Sequence, residues 1–221
     1  MVAHQIKRKV SRQMGRIRII FKKILNLLNV HPDENQKWLL MSLVVSGLLI
    51  TYAHPTLLKT IISELPAQWL AFDSLSSSIC GLAIGVMWQK KVRTVAIKYF
   101  LWLAITESFC GFVLGLYLAF INFNVWVFAI ASLIYTNIVS IFVGKCIMAF
   151  KAKLWIEKDR EVYDNNYSIV GGIVCIVGYI AALLFLPPLQ VSLILWAVCC
   201  IIDDIGWVIV YAKNKQELKN C

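Results

Sequence analysis

Residues 191 to 212 read VSLILWAVCCIIDDIGWVIVYA, an apolar run that carries two adjacent carboxylates, Asp203 and Asp204. A helix that crosses the hydrocarbon of a bilayer needs about 20 residues, and this run supplies them. An ionisable group at bilayer depth costs roughly 2.5 to 3.5 kcal/mol on insertion scales, so it usually faces protein or trapped water and often works there. Two readings stand side by side. Either the acids are functional groups inside a helical bundle, or the helix shifts so that both approach the inner interface, with Trp207 and Tyr211 in the headgroup belt.

The rest of the chain matches this stretch. It is 60% hydrophobic and 15% charged, with a mean hydropathy of +0.73, too apolar for a water-soluble domain of this length. The fold class expected is all-α: a polytopic membrane protein with six transmembrane helices, preceded by an interfacial amphipathic helix. Residues 1–30 carry Lys7, Arg8, Lys9, Arg12, Arg16, Arg18, Lys22 and Lys23 and no acid, while Ile6, Val10, Met14, Ile17, Phe21, Ile24 and Leu28 recur at helical spacing. Such a helix lies in the membrane plane with its basic side near anionic headgroups. His31-Pro32-Asp33-Glu34-Asn35 then turns the chain inward. The organisation expected is a basic helix and linker over 1–36, a membrane domain over 37–212 and a cytoplasmic tail over 213–221.

The first span runs from Trp38 through a kink at His54-Pro55 toward Ile62, and the second from Trp69 to Trp88 with Asp73 near its outer end. The third, Lys98 to Phe120, has Glu107 at mid-depth. The fourth, Val125 to Phe150, has Tyr135 and Asn137 in its middle, and the fifth, Tyr167 to Leu186, ends at Pro187-Pro188. Gly81-x-x-x-Gly85 and Gly111-x-x-x-Gly115 are packing signals, because glycines at this spacing let helix backbones approach closely. Aromatic residues near helix ends, Trp38, Trp69, Trp88, Trp126, Trp196 and Trp207, read as interface anchors.

With six spans, every lysine and arginine except Lys59 falls on one side. The positive-inside bias then places both termini in the cytoplasm of a cell with an inner (cytoplasmic) membrane. This distribution assigns the net charge of +10 to membrane lipids as partners, not to nucleic acid, of whose binding modules no motif is present. The seven cysteines contain no C-x-x-C pair and read as small core hydrophobes, with no metal site and no cofactor implied.

The loop Gly85-Val86-Met87-Trp88-Gln89-Lys90-Lys91-Val92-Arg93-Thr94 resembles the connection between the second and third helices of major facilitator superfamily transporters, of the form G-x-L-A-D-R-x-G-R-R. Gly85, Lys90 and Arg93 match; Gln89 stands where the family has Asp, and Val92 where it has Gly. The mixed-charge stretch from Lys151 to Asn166, ahead of a Gly-rich span, is similar to the passage between the fourth and fifth helices of that family. The resemblance covers residues 37–212 and implies a single six-helix half. The full fold has two such halves, which a homodimer would supply.

Glu107 and the Asp203-Asp204 pair fall at similar depth by helix rise, while Asp73 lies nearer the outside with Lys59 as its one plausible basic partner. Carboxyl groups without a counter-charge in a medium of low dielectric can hold a proton and release it when water or a cation enters. The function expected is therefore a proton-linked carrier of small cationic or amphipathic molecules. Asp203, Asp204, Glu107, Asp73, Asn137 and Tyr135 are the candidate substrate or proton-binding residues. The alternative is a non-transporting accessory, immunity or receptor subunit that binds another membrane protein. An enzyme is not expected: His54 and Cys80, the one imaginable base and nucleophile, fall at different depths.

Overall fold

A computed structural model describes residues 32–88, 93–155 and 157–214, together with Lys23. The expected amphipathic helix before residue 32 and the tail after Asn214 lie outside the described residues. The chain divides into two units, Met1–Glu34 and Asn35–Cys221, of which the second holds the helical bundle.

It is an all-helical polytopic membrane protein, with no strand among the described residues. In order come α1 (Glu34–Glu64), α2 (Gln68–Met87), α3 (Arg93–Phe120), α4 (Val125–Ile134), a π-helical segment (Tyr135–Val139), α5 (Ser140–Leu154), α6 (Glu157–Leu184) and α7 (Leu189–Lys213). Five of them, α1, α2, α3, α6 and α7, are long and apolar enough to cross a bilayer. The stretch expected from sequence as the fourth span consists of three consecutive segments, α4, the π segment and α5, of 10, 5 and 15 residues, none of which by itself has the length of a span.

Local chemistry sets the helix ends. Asn124, in extended conformation, caps α4 by accepting from the backbone N–H groups of Trp126 at 2.9 Å and Val127 at 3.2 Å, two of the donors a helix start leaves unsatisfied. Pro188, at φ −61°, stands before α7, and Ser192 N donates to its carbonyl at 3.0 Å. The Thr56 hydroxyl of α1 donates to the Pro187 carbonyl at 2.7 Å, which ties the α6–α7 turn to the first helix. Helix α1 continues through Pro55, although proline cannot donate to the carbonyl four residues earlier.

One boundary departs from expectation. The stretch 157–166, expected as a loop, is the first part of α6. Hydropathy marks where a helix leaves the lipid, not where it stops winding. Tyr163, Asn166, Val170 and Val174 follow one another at helical spacing and all are buried, while Asp159, Glu161 and Asp164 remain exposed. At this end Lys151 pairs with Asp164 at 2.6 Å and lies 4.6 Å from the centre of the Tyr163 ring.

Helix α7 runs through the centre of the packing. Leu193, Trp196 and Cys200 join Ala53 and Leu57 of α1, Leu118 of α3 and Phe128 of α4 in one buried cluster. Lower on the helix, Trp207, Val208 and Tyr211 pack on the cluster of Phe100, Ala104, Val143, Cys146 and Phe150, and Val210 joins Leu39, Trp155 and Tyr163 in a third. Trp196, expected at an interface, is 8% exposed and meets the rings of Phe128 and Tyr135 edge-on at 5.6 and 6.3 Å. Its distance from the helix end explains the difference: it sits two turns inside α7, where neighbouring helices enclose it. Trp69 and Trp126, near the starts of α2 and α4, meet edge-on with ring centres 5.7 Å apart.

Lipid tails are as apolar as leucine, so helices in a membrane associate through close packing and polar contacts instead of the hydrophobic effect. The Gly111–Gly115 pair shows the consequence. A Cβ placed on Gly115 would lie 2.6 Å from the Cβ of Ala197, and one on Gly111 2.8 Å from Cys200 Sγ. On the far side of α7, a Cβ on Gly206 would lie 3.2 Å from the Trp38 carbonyl oxygen. Gly81 and Gly85 differ: the first would meet only Ile141 Cδ1 at 4.0 Å and the second nothing within 4 Å. We expect Gly115→Leu to destabilise the detergent-solubilised protein by about 1 to 3 kcal/mol through overpacking. Gly144→Ala, with open space around it, should leave thermal unfolding unchanged or raise its midpoint.

Candidate functional site

The two aspartates that mark α7 part company. Successive residues of a helix point about 100° apart, and Asp203 turns to α1 while Asp204 turns to α3. Asp203 Oδ1 accepts from the Ser46 hydroxyl at 3.1 Å. One turn below, the Ser42 hydroxyl reaches the backbone carbonyls of Ile202 and Asp203. Asp204 Oδ2 accepts from the buried Ser108 hydroxyl of α3 at 2.6 Å. Their exposure differs as well: Asp204 is 7% exposed, whereas Asp203 lies on the surface of the bundle.

Glu107 precedes Ser108 on α3 and lies within electrostatic reach of both aspartates. The Tyr135 phenol, at the first position of the π segment, reaches both the Glu107 carboxyl and the Cys200 thiol. Glu107 Oε2 is nevertheless buried with no hydrogen-bond partner. Among the described residues, no lysine, arginine or histidine lies within ion-pairing distance of Glu107, Asp203 or Asp204, and the ion pair Lys151–Asp164 belongs to another part of the bundle. The structure thus brings Glu107, Asp203, Asp204 and Tyr135 into one neighbourhood, built by α1, α3, α7 and the π segment.

Asp73 and Asn137 form a separate pair. Asn137 Nδ2 donates to Asp73 Oδ1 at 3.1 Å and to the Asp73 carbonyl at 3.3 Å. The expected partner of Asp73 is Lys59, but α2 presents this carboxyl to the π segment. A π turn holds one residue more than an α turn and so re-aims the side chains after it; Asn137 is 3% exposed within it. Of the loop motif, Gly85 lies in α2 and Arg93 begins α3, while Lys90 is outside the described residues. No group of three or more metal-ligating side chains occurs among the described residues.

Sequence reasoning passed over the serines. Ser42 and Ser46 stand four apart on α1, and Ser108 adjoins Glu107. Hydroxyls at helical spacing opposite an intramembrane acid were the available signal, since a carboxyl group in lipid must find donors on neighbouring helices.

No protein-family model, curated protein or solved structure matches this chain.

The Asp73–Asn137 contact is testable by a double-mutant cycle. Asp73→Ala and Asn137→Ala should couple by about 0.6 to 2 kcal/mol in unfolding measurements, the range of interhelical hydrogen bonds in membranes. Additive effects would mean that the pair does not hold α2 in place.

Proposed function

We propose that two copies of this chain form a membrane carrier of small cationic or amphipathic solutes, with proton exchange at the acids of α3 and α7. The exposure of Asp203 carries this reading. Asp203 stands fifteen residues along the 25-residue helix α7, well inside the span, with part of its surface uncovered by its own chain. A carboxylate there requires water, a bound cation or a polar group from a second protein. Glu107 adds a buried acceptor with no partner, the kind of group that an incoming cation or proton satisfies.

A second copy is supported by α2. None of its residues is buried, and its Gly81–Gly85 pair meets almost nothing in its own chain, which leaves small residues for a helix of a partner. The resemblance to one half of a major facilitator superfamily transporter agrees with that arrangement. The same open helix supports a second reading, in which α2 docks on a different membrane protein and the chain is an accessory subunit. The oligomeric state separates them: native mass spectrometry should give a dimer for the carrier and a monomer for a chain deprived of another partner.

For the carrier, uptake of a lipophilic cation into proteoliposomes should respond to an imposed pH gradient. Asp203→Asn and Glu107→Gln should each lower it on the order of tenfold, the equivalent of about 1.4 kcal/mol. Full transport by both variants would refute the reading.

We also place both termini in the cytoplasm and the chain in the cytoplasmic membrane, on the distribution of lysine and arginine. Asn122→Cys, in the α3–α4 connection, and Gln190→Cys, in the first turn of α7, are exposed and should react in intact cells with a membrane-impermeant maleimide once the native cysteines are replaced by serine. Labelling confined to inverted vesicles would reverse the orientation.

A further inference from the structure

Ser108 has one hydroxyl hydrogen and two acceptors within reach. The Ala104 carbonyl lies 2.9 Å from its Oγ and Asp204 Oδ2 lies 2.6 Å away. A hydroxyl donates once and accepts twice. Ser108 either shares its one hydrogen between the two oxygens, as the Ser42 hydroxyl does between the Ile202 and Asp203 carbonyls, or gives it to Ala104 and accepts from a protonated Asp204. Asp203 differs, since its carboxylate accepts from Ser46.

The surroundings agree with a neutral acid. Asp204 and Ser108 are 7% and 8% exposed. The titratable groups near Asp204 among the described residues are Glu107, Asp203, Tyr135, Cys199 and Cys200, so each is an acid and none is a cation. What surface the pair has opens into a groove of about 280 Å³ between α3 and α7, walled by Ile105, Phe109, Ile201, Ile205 and Val208. Lipid, not water, matches such walls.

We propose that Asp204 is a proton-binding site that opens sideways to the hydrocarbon through the α3–α7 groove, with the Ser108 hydroxyl as the acceptor that orients its proton. This rests on the carrier reading and divides its labour: Asp204 holds the proton, while Asp203 and Glu107 face the solute.

A lipid-soluble carbodiimide tests it. The carboxylic acid adds across one C=N bond, its oxygen bonding to carbon and its proton passing to nitrogen. The O-acylisourea then rearranges by O-to-N acyl migration to a stable N-acylurea, and nothing leaves. With the full-length protein in phospholipid vesicles, dicyclohexylcarbodiimide should add one equivalent, mapped by peptide mass spectrometry to Asp204, and a membrane-impermeant carbodiimide should add none there. Asp204→Asn should remove the adduct. Ile105→Trp, which fills the groove from its wall, should slow adduct formation several-fold without lowering the thermal unfolding midpoint. An adduct on Asp203 or Glu107 in place of Asp204, or none on a folded sample, overturns the assignment. Because labelling needs no transport, an adduct on Asp204 in a protein that moves no solute sinks the carrier reading and leaves the proton site standing.

Discussion

Two acids must pass through lipid on one helix, and the arrangement of the bundle depends on how each is satisfied. Asp203 and Asp204 are adjacent, so they point in different directions, and no single neighbouring helix can serve both. Helix α1 brings Ser46 to one and α3 brings Ser108 to the other. Helix α7 is thereby held between α1 and α3. The close approaches at Gly111, Gly115 and Gly206 are on the same two faces, since a serine hydroxyl is short and reaches an acid only where backbones nearly touch.

The polar contacts and the packing therefore depend on each other. In water an apolar core would hold such helices together, and the serine–aspartate bonds would add little. In lipid the apolar clusters around Trp196, Phe150 and Tyr163 gain from tight fit alone. An unsatisfied carboxyl would make any looser arrangement costly. Glu107 is the exception. It stands beside the satisfied pair, touched by Tyr135 on one oxygen, with the other left without a partner. Proteins tolerate such departures from local satisfaction chiefly where a ligand completes them.

The π segment extends the same logic to α2. Tyr135 opens it and faces Glu107, while Asn137, two residues on, faces Asp73 of α2. One irregular turn thus serves both acidic neighbourhoods. The stretch from Val125 to Leu154 is therefore not one uniform helix, although its sequence reads as a single apolar run.

The sequence by itself determined the class of the fold, the approximate position of the five long apolar helices, the candidate acids and the turn residues between helices, such as Asn124 and Pro188. These are local properties: lipid reads each segment's polarity one helix at a time, and caps and prolines act within a few residues. The tertiary structure alone decided that Asp203 and Asp204 face apart, that Asp73 meets Asn137 and not Lys59, that Trp196 is interior and that Gly85 is open. Each of these turns on the rotation of one helix against another. That rotation is set by partners far away in the chain, 157 positions for Ser46 and Asp203 and 96 for Ser108 and Asp204, a distance over which neither hydropathy nor spacing carries information.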